Sequence, residues 1–262
     1  MTTTLTIEQP AYFDRLAEVE AEHWWSLGMW RLGAHWLDAA LRGRRDLAAL
    51  DVGCGTGQTA LRLACRPEIG SVVGLDPSAE ALAHARRRHA FPLVRGSALD
   101  LPFGNSKFDV ITCFDVLQHL PQDGDRRAAE ELRRVLEPGG VVLIRSNAQG
   151  WTSASPAIEG GYRLGDLIKV FERSGFTVRR ATHANCLPAL VQELRGRLVR
   201  AGRSGPSSHP SGGGLKIRLP HPWVNRVMAG VAAAEAVVAG RLTARLPFGH
   251  STMLLVSRND DQ

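Results

Sequence analysis

The residues with the most explicit chemistry lie in the run Asp51-Val-Gly-Cys-Gly-Thr-Gly57, directly after the apolar segment Leu47-Ala-Ala-Leu50. Glycines at 53, 55 and 57 let the backbone turn sharply and approach a ligand with no side chain in the way. Gln58 to Cys65 has the pattern of a helix, whose first amides would face that turn. The G-x-G-x-G spacing differs from the G-x-G-x-x-G of dinucleotide sites, where the third glycine comes one place later and the turn meets a pyrophosphate. With Asp51 ahead of the turn, the ammonium of an amino-acid moiety is a better match than a phosphate. A second apolar run, Ser71-Val-Val-Gly-Leu-Asp76, ends in a carboxylate about 20 residues after the turn, where a ribose would be gripped by a bidentate acceptor.

Three further blocks follow in order: Gly96-Ser-Ala-Leu-Asp-Leu-Pro-Phe103, Phe108-Asp-Val-Ile-Thr-Cys-Phe-Asp-Val-Leu-Gln-His-Leu120 and Leu132-Arg-Arg-Val-Leu-Glu-Pro-Gly-Gly-Val-Val-Leu-Ile144. Over about residues 47–147 the chain resembles the class I S-adenosylmethionine-dependent methyltransferases. That resemblance implies S-adenosyl-L-methionine as cofactor and S-adenosyl-L-homocysteine as product. It implies Asp76 and Pro77 at the ribose, Asp51, Gly53, Cys54, Gly55 and Gly57 along the methionine moiety, and Ser97, Ala98 and Leu99 beside adenine. Phe114, Asp115 and His119 would close the pocket. Relatives usually carry Asp where Ser97 stands, so adenine recognition here either uses the hydroxyl or is weakened, with Asp100 as the carboxylate that could compensate.

The elements that must position these residues read as alternating strands and helices. Leu47–Val52, Ser71–Leu75, Pro92–Gly96, Asp109–Phe114 and Gly140–Arg145 are short Val, Ile or Leu-rich runs separated by amphipathic stretches. Asp125 to Leu136 has its apolar residues at helical spacing and is followed by Pro138-Gly-Gly140. Leu164, Leu167, Ile168 and Phe171 repeat that spacing, after which Phe176–Thr182 and Ser251–Ser257 read as strands. The expected fold class is α/β, a Rossmann-like doubly wound sheet. The resemblance adds its seven-stranded order, 3-2-1-4-5-7-6, with the last strand antiparallel. One domain is expected over 1–262: a helical arm or lid at 1–45, a core at 46–185, a helical insertion with a flexible basic loop at 186–247, and the last strand at 248–262.

Two segments lie outside the core. In the arm, Met29, Leu32, Trp36, Leu37, Ala40 and Leu41 form a helical stripe, which makes Trp36 a packing residue. The string Glu22-His-Trp-Trp with Arg31 downstream resembles a group of bacterial small-molecule methyltransferases, and by that analogy Arg31 meets the cofactor carboxylate while the arm covers the pocket. In the insertion, Cys186 to Pro220 holds six basic side chains against Glu193 alone, a local +5 of the chain's formal +6. Such a patch suits a solvated face, an anionic acceptor, nucleic acid or an anionic membrane surface. Gly202–Gly214 reads as a mobile loop and Val224–Leu242 as an Ala-rich helix interrupted by Arg226, Glu235 and Arg241, too broken to span a bilayer.

Methyl transfer from a sulfonium needs alignment above all, and a base where the acceptor is a hydroxyl or an ammonium. Three candidate bases stand out: His119 after the fourth strand, His23 in the arm, and Tyr162 after the Gly150–Gly161 loop. No Cys/His cluster has zinc spacing and no carboxylate set calls for magnesium, so no metal is expected. Four cysteines at 54, 65, 113 and 186 without paired spacing, and no basic-then-apolar leader, point to a reducing cytoplasm. The expected activity is O- or N-methylation of a small molecule, with an anionic acceptor compatible with the insertion and no specific nucleic acid. Competing readings are an RNA or peptide methyltransferase, and a cofactor-binding protein of this fold that transfers no methyl.

Overall fold

The computed structural model describes residues 10–149, 161–201, 219–241 and 245–258. The expected loop at 202–214 and most of the 150–161 loop lie outside them. Seven strands, β1 (Leu47–Val52), β2 (Ile69–Asp76), β3 (Leu93–Arg95), β4 (Phe108–Phe114), β5 (Leu136–Asn147), β6 (Phe176–Ala184) and β7 (Ser251–Arg258), form one sheet of order β3-β2-β1-β4-β5-β7-β6. Strand β7 runs antiparallel to β5 and β6, while β1 to β5 pair in parallel. The central strands are covered on both faces, which is why they read as unbroken apolar runs without alternation.

One face is covered by α5 (Gly124–Val135) and α6 (Leu164–Arg173), which bury Leu132, Val135, Leu167 and Phe171 against Leu50, Ile111 and Val142. The other is covered by α2 (Trp24–Ala40), α3 (Gln58–Ala64) and α8 (Pro222–Gly240), around Leu32, Trp36, Leu63, Leu143 and Ala236. Helix α1 (Pro10–Val19) and α4 (Ala79–Arg88) lie against each other near the β3 edge. The expected stripe of α2 is buried at Met29, Leu32, Trp36, Leu37 and Leu41, with the Trp36 indole donating to the Ala239 carbonyl at 3.1 Å. A Cβ added at Gly28 would come within 2.5 Å of the Ala232 methyl, so α2 and α8 meet at backbone distance.

One boundary differs from the sequence reading. The chain passes from α5 into β5 without a loop, so Leu136 pairs with Phe108 as a strand residue where a helix end was expected. Within the expected helical insertion, Cys186–Ala201 forms a helix, α7. Its proline falls at position 188, in the first turn, where a missing amide costs nothing.

Candidate active site

The glycine turn is fixed by its neighbours. The amides of Gly53 and Cys54 donate to the Leu75 carbonyl at 2.7 and 2.9 Å, and the Gly55 amide donates to Asp76 Oδ2 at 2.9 Å. Asp76 Oδ1 accepts from the Ser78 amide at 2.8 Å, so the end of β2 and the turn hold each other. All three glycines have positive φ, at 72°, 53° and 91°. Their surroundings differ: a Cβ at Gly53 would lie 2.2 Å from Val116 Cγ2, whereas one at Gly55 meets nothing within 4 Å. Open space at Gly55 belongs to a cavity of about 930 Å³ along the carboxyl ends of β1, β2 and β4.

Three observations bear on an amino-acid nucleoside in this cavity. The space left by Gly55 is a cradle that a side chain would fill. Asp76, 8% exposed and part of the wall, has its pKa raised by burial, opposed by its two backbone donors, and each oxygen keeps a second lone pair for a ribose hydroxyl. Arg62 of α3 also reaches the wall. Its Nη1 donates to the Ser26 carbonyl and hydroxyl at 3.1 Å each, while Nη2 is buried without a partner. Burial depresses the Arg62 pKa to about 10, against the pull of Glu20. A buried guanidinium with an unused N–H suits a carboxylate.

Helix α1 forms a wall of the cavity through Tyr12, Phe13 and Leu16. It is fastened at both ends: His84 Nε2 lies 3.0 Å from Asp14, and Glu20 accepts from the Thr56 hydroxyl and, at 3.1 Å, from Arg88. Burial raises the Glu20 pKa despite those donors. The other end of the cavity is aromatic and basic. The Arg145 guanidinium lies 4.3 Å from the Trp25 ring centroid and 4.6 Å from that of Phe114, and pairs through two bonds with Asp115. Asp115 occupies a left-handed conformation at φ 57°, its amide donating to the Arg145 carbonyl. Near Arg145 in the fold, Pro188 at the start of α7 and His250 at the entry to β7 complete this end. Desolvation lowers the His250 pKa, and among the described residues none hydrogen-bonds its ring.

The structure brings together most of the expected positions and relocates others. Gly53, Cys54, Gly55, Asp76, Pro77, Ser97, Ala98, Phe114, Asp115, His119 and His23 all line the cavity. His23 also has a structural task, since its Nδ1 accepts from the Trp25 amide as the N-cap of α2. Arg31 is exposed on α2 and is not among the residues lining the cavity, whereas Arg62 of α3 is. Tyr162 is also outside the cavity; its hydroxyl donates to the Leu117 carbonyl at 3.4 Å and its backbone bridges Ala148. Asp51, Gly57 and Leu99 sit behind the wall. Asp51 is 1% exposed, accepts from the Thr112 hydroxyl at 2.6 Å, and keeps Oδ2 without a partner; desolvation pushes its pKa up to about 7. Arg62, Arg145, Glu20, Tyr12 and His250 were missed because each reads in sequence as an ordinary helix, strand or loop residue. Tyr12 and Glu20 reach the cavity through the packing of α1 against α4, and His250 through the entry of β7 between β5 and β6.

Residues 49–140 match a family model described as a methyltransferase domain. The chain is 36% identical over 153 residues to the 2-phytyl-1,4-naphtoquinone methyltransferase of Trichormus variabilis, covering 53% of this chain and 65% of that protein. It is 35% identical over 122 residues to the demethylmenaquinone methyltransferase of Staphylococcus saprophyticus, covering 44% and 50%. These matches span less than two thirds of each relative's own length. A TehB-like SAM-dependent methyltransferase structure from Corynebacterium glutamicum superposes with a TM-score of 0.57 at 18% identity, covering 96% of this chain and 100% of that one, which speaks to the fold. Residues 49–140 thus match a methyltransferase domain, and with the sheet order built around it the chain resembles the class I S-adenosylmethionine-dependent methyltransferases.

Proposed function

We propose that the protein transfers a methyl group from S-adenosylmethionine to a small, planar, largely apolar acceptor carrying an ionisable oxygen or nitrogen. The observation that carries this reading is the division of one cavity into a polar end at the glycine turn and an aromatic end at Trp25, Phe114 and Arg145. The names of two relatives, a naphthoquinone and a demethylmenaquinone methyltransferase, favour an acceptor of quinone type.

When bound, the cofactor supplies an electrophilic methyl on a sulfonium that carries its own leaving group. The protein's share is orientation and proton removal. Asp76 would receive the ribose hydroxyls, Arg62 on the same wall would supply positive charge for the carboxylate, and Ser97 and Ala98 would border the adenine. Tyr12, Trp25 and Phe114 flank the acceptor and keep water from its face. His250 accepts the acceptor's proton: among the described residues none hydrogen-bonds its ring, and burial keeps it neutral at pH values where an exposed imidazole begins to charge. His119 and His23 are the alternative bases, with His23 disfavoured by its capping bond.

The test is product formation. The purified chain, S-adenosylmethionine and a reduced naphthoquinone should yield a methylated product and S-adenosylhomocysteine together. Cofactor binding without methylation across a panel of quinols, phenols and aromatic amines would favour a protein that binds the cofactor without transfer. Salt-dependent, sequence-selective RNA binding would favour the nucleic-acid reading.

A further inference from the structure

Helix α8 presents an apolar face to the outside. Its exposed positions include Trp223, Val227, Gly230, Ala234 and Val238, spaced at i, i+4, i+7, i+11 and i+15, and Arg226 is the one charge among the exposed residues of the helix. Trp223 is 62% and Val227 56% exposed, values at odds with a surface that only water contacts. Its single carboxylate, Glu235, is turned inward, accepting from the amides of Asn185 and Cys186 at the start of α7. Helix α7 adds Leu187, Val191 and Leu194 at i, i+4 and i+7, each more than 40% exposed, while Ala189 and Glu193 are buried.

The two faces border the cavity. Leu187 is next to Pro188, a wall residue, and Trp223 is two residues before Asn225, whose side chain accepts from the amide of Trp24, another wall residue. The stretch that joins the two helices in sequence has charge of one sign: residues 195–218 contain six basic side chains and no acidic one. A second copy on this surface would bring that charge against itself. An anionic bilayer is complementary to it, and an apolar helix face beside cationic chain, with an exposed tryptophan, has the chemistry of an interfacial element. None of the described helices is long and apolar enough to cross a membrane.

We propose that the outer face of α8, with Leu187, Val191 and Leu194 of α7, seats the protein on an anionic lipid surface, so that the cavity takes its acceptor from the bilayer. This rests on the reading of a lipophilic acceptor given above. The surface is tested by co-sedimentation of the full chain with extruded vesicles of phosphatidylglycerol alone or phosphatidylcholine alone. The wild type should pellet with phosphatidylglycerol, far less with phosphatidylcholine, and less again at high salt. The triple variant Trp223→Ser, Val227→Ser, Val238→Ser should lose about tenfold or more in partitioning, since it removes most of the inserted apolar area. Its melting temperature and S-adenosylhomocysteine affinity should match the wild type. If it does not fold, Arg195→Gln, Arg197→Gln, Arg200→Gln should show the same loss on phosphatidylglycerol.

Absence of wild-type binding to phosphatidylglycerol overturns the proposal, as does undiminished binding by both variants. Dimers in sedimentation velocity that the serine variant dissolves, without vesicle binding, assign the face to a second copy. Methylation of a tail-less, water-soluble naphthol without vesicle binding removes the docking and leaves the enzymatic reading intact. Vesicle binding with no methylation of any acceptor does the reverse.

Discussion

Replacing Arg62 by alanine tests the polar end of the cavity. The residue is half-buried and lines the cavity, is tied to Ser26 through Nη1, and keeps Nη2 buried with no hydrogen-bond partner among the described residues. A hydrogen bond to a charged group contributes about 1.5–3 kcal/mol, so losing the contact to the cofactor carboxylate should weaken S-adenosylhomocysteine about 10- to 150-fold. Truncation also removes the tie to Ser26, so a general loosening of α2 must be separated from a lost ligand contact. Titration calorimetry with two ligands makes that separation. S-adenosylhomocysteine should lose the full factor, whereas 5′-methylthioadenosine, which lacks the amino-acid carboxylate, should bind wild type and variant alike. Arg31→Ala, on the exposed side of α2, should bind both ligands like the wild type. Equal losses for the two ligands, or a larger effect at Arg31, would refute the assignment of Arg62.

Other perturbations probe the remaining parts. Gly55→Val should lose S-adenosylhomocysteine because its Cβ enters open cavity, and melt earlier through strain at φ 53°; Gly53→Val should melt earlier still, since its clash with Val116 adds overpacking that costs about 1–3 kcal/mol. Hydrogen exchange across α1 should slow when S-adenosylhomocysteine is added, and Glu20→Gln should weaken that protection by loosening the tie to Thr56 and Arg88; unchanged exchange makes α1 a static wall. His250→Gln should cut kcat by about 10²- to 10⁴-fold while sparing cofactor affinity. The acid limb of the wild-type rate profile should lie below the ordinary imidazole value of 6.5, and as pH falls through that value the unfolded chain takes up the proton first, so His250 should cost the folded state stability in acid. A limb that persists in the glutamine variant would return the role to His119.

How much of this was legible in the chain depended on whether the information was local. The central strands announced themselves because they are buried on both faces, and the glycine turn because only glycine sits easily at three positive φ angles in five residues. The stripe of α2 followed from helical periodicity. Arg62 and Arg31 show the limit: both lie on helices near the turn, and which of them lines the cavity is set by how α3 and α2 are rotated, which no spacing within either helix encodes. Tyr162 is off the cavity for the same reason, its hydroxyl donating to the Leu117 carbonyl. His250 was hidden more deeply, since its position depends on β7 inserting between β5 and β6, a pairing between residues about a hundred apart in the chain.

The contact between α2 and α8 has a consequence for the order in which the molecule can be made. The Trp36 indole and the Ala239 carbonyl that receives it are 203 residues apart. At about 5–20 residues per second, a ribosome that has finished α2 delivers its partner on the order of 10–40 s later. For that interval the surface of α2 that α8 will occupy, with Gly28 at its centre, has nothing to cover it, and the nascent chain must hold it away from other chains. Helix α1 can be tied down as soon as Thr56, His84 and Arg88 have been made, so the two helices of the arm are completed at opposite ends of synthesis.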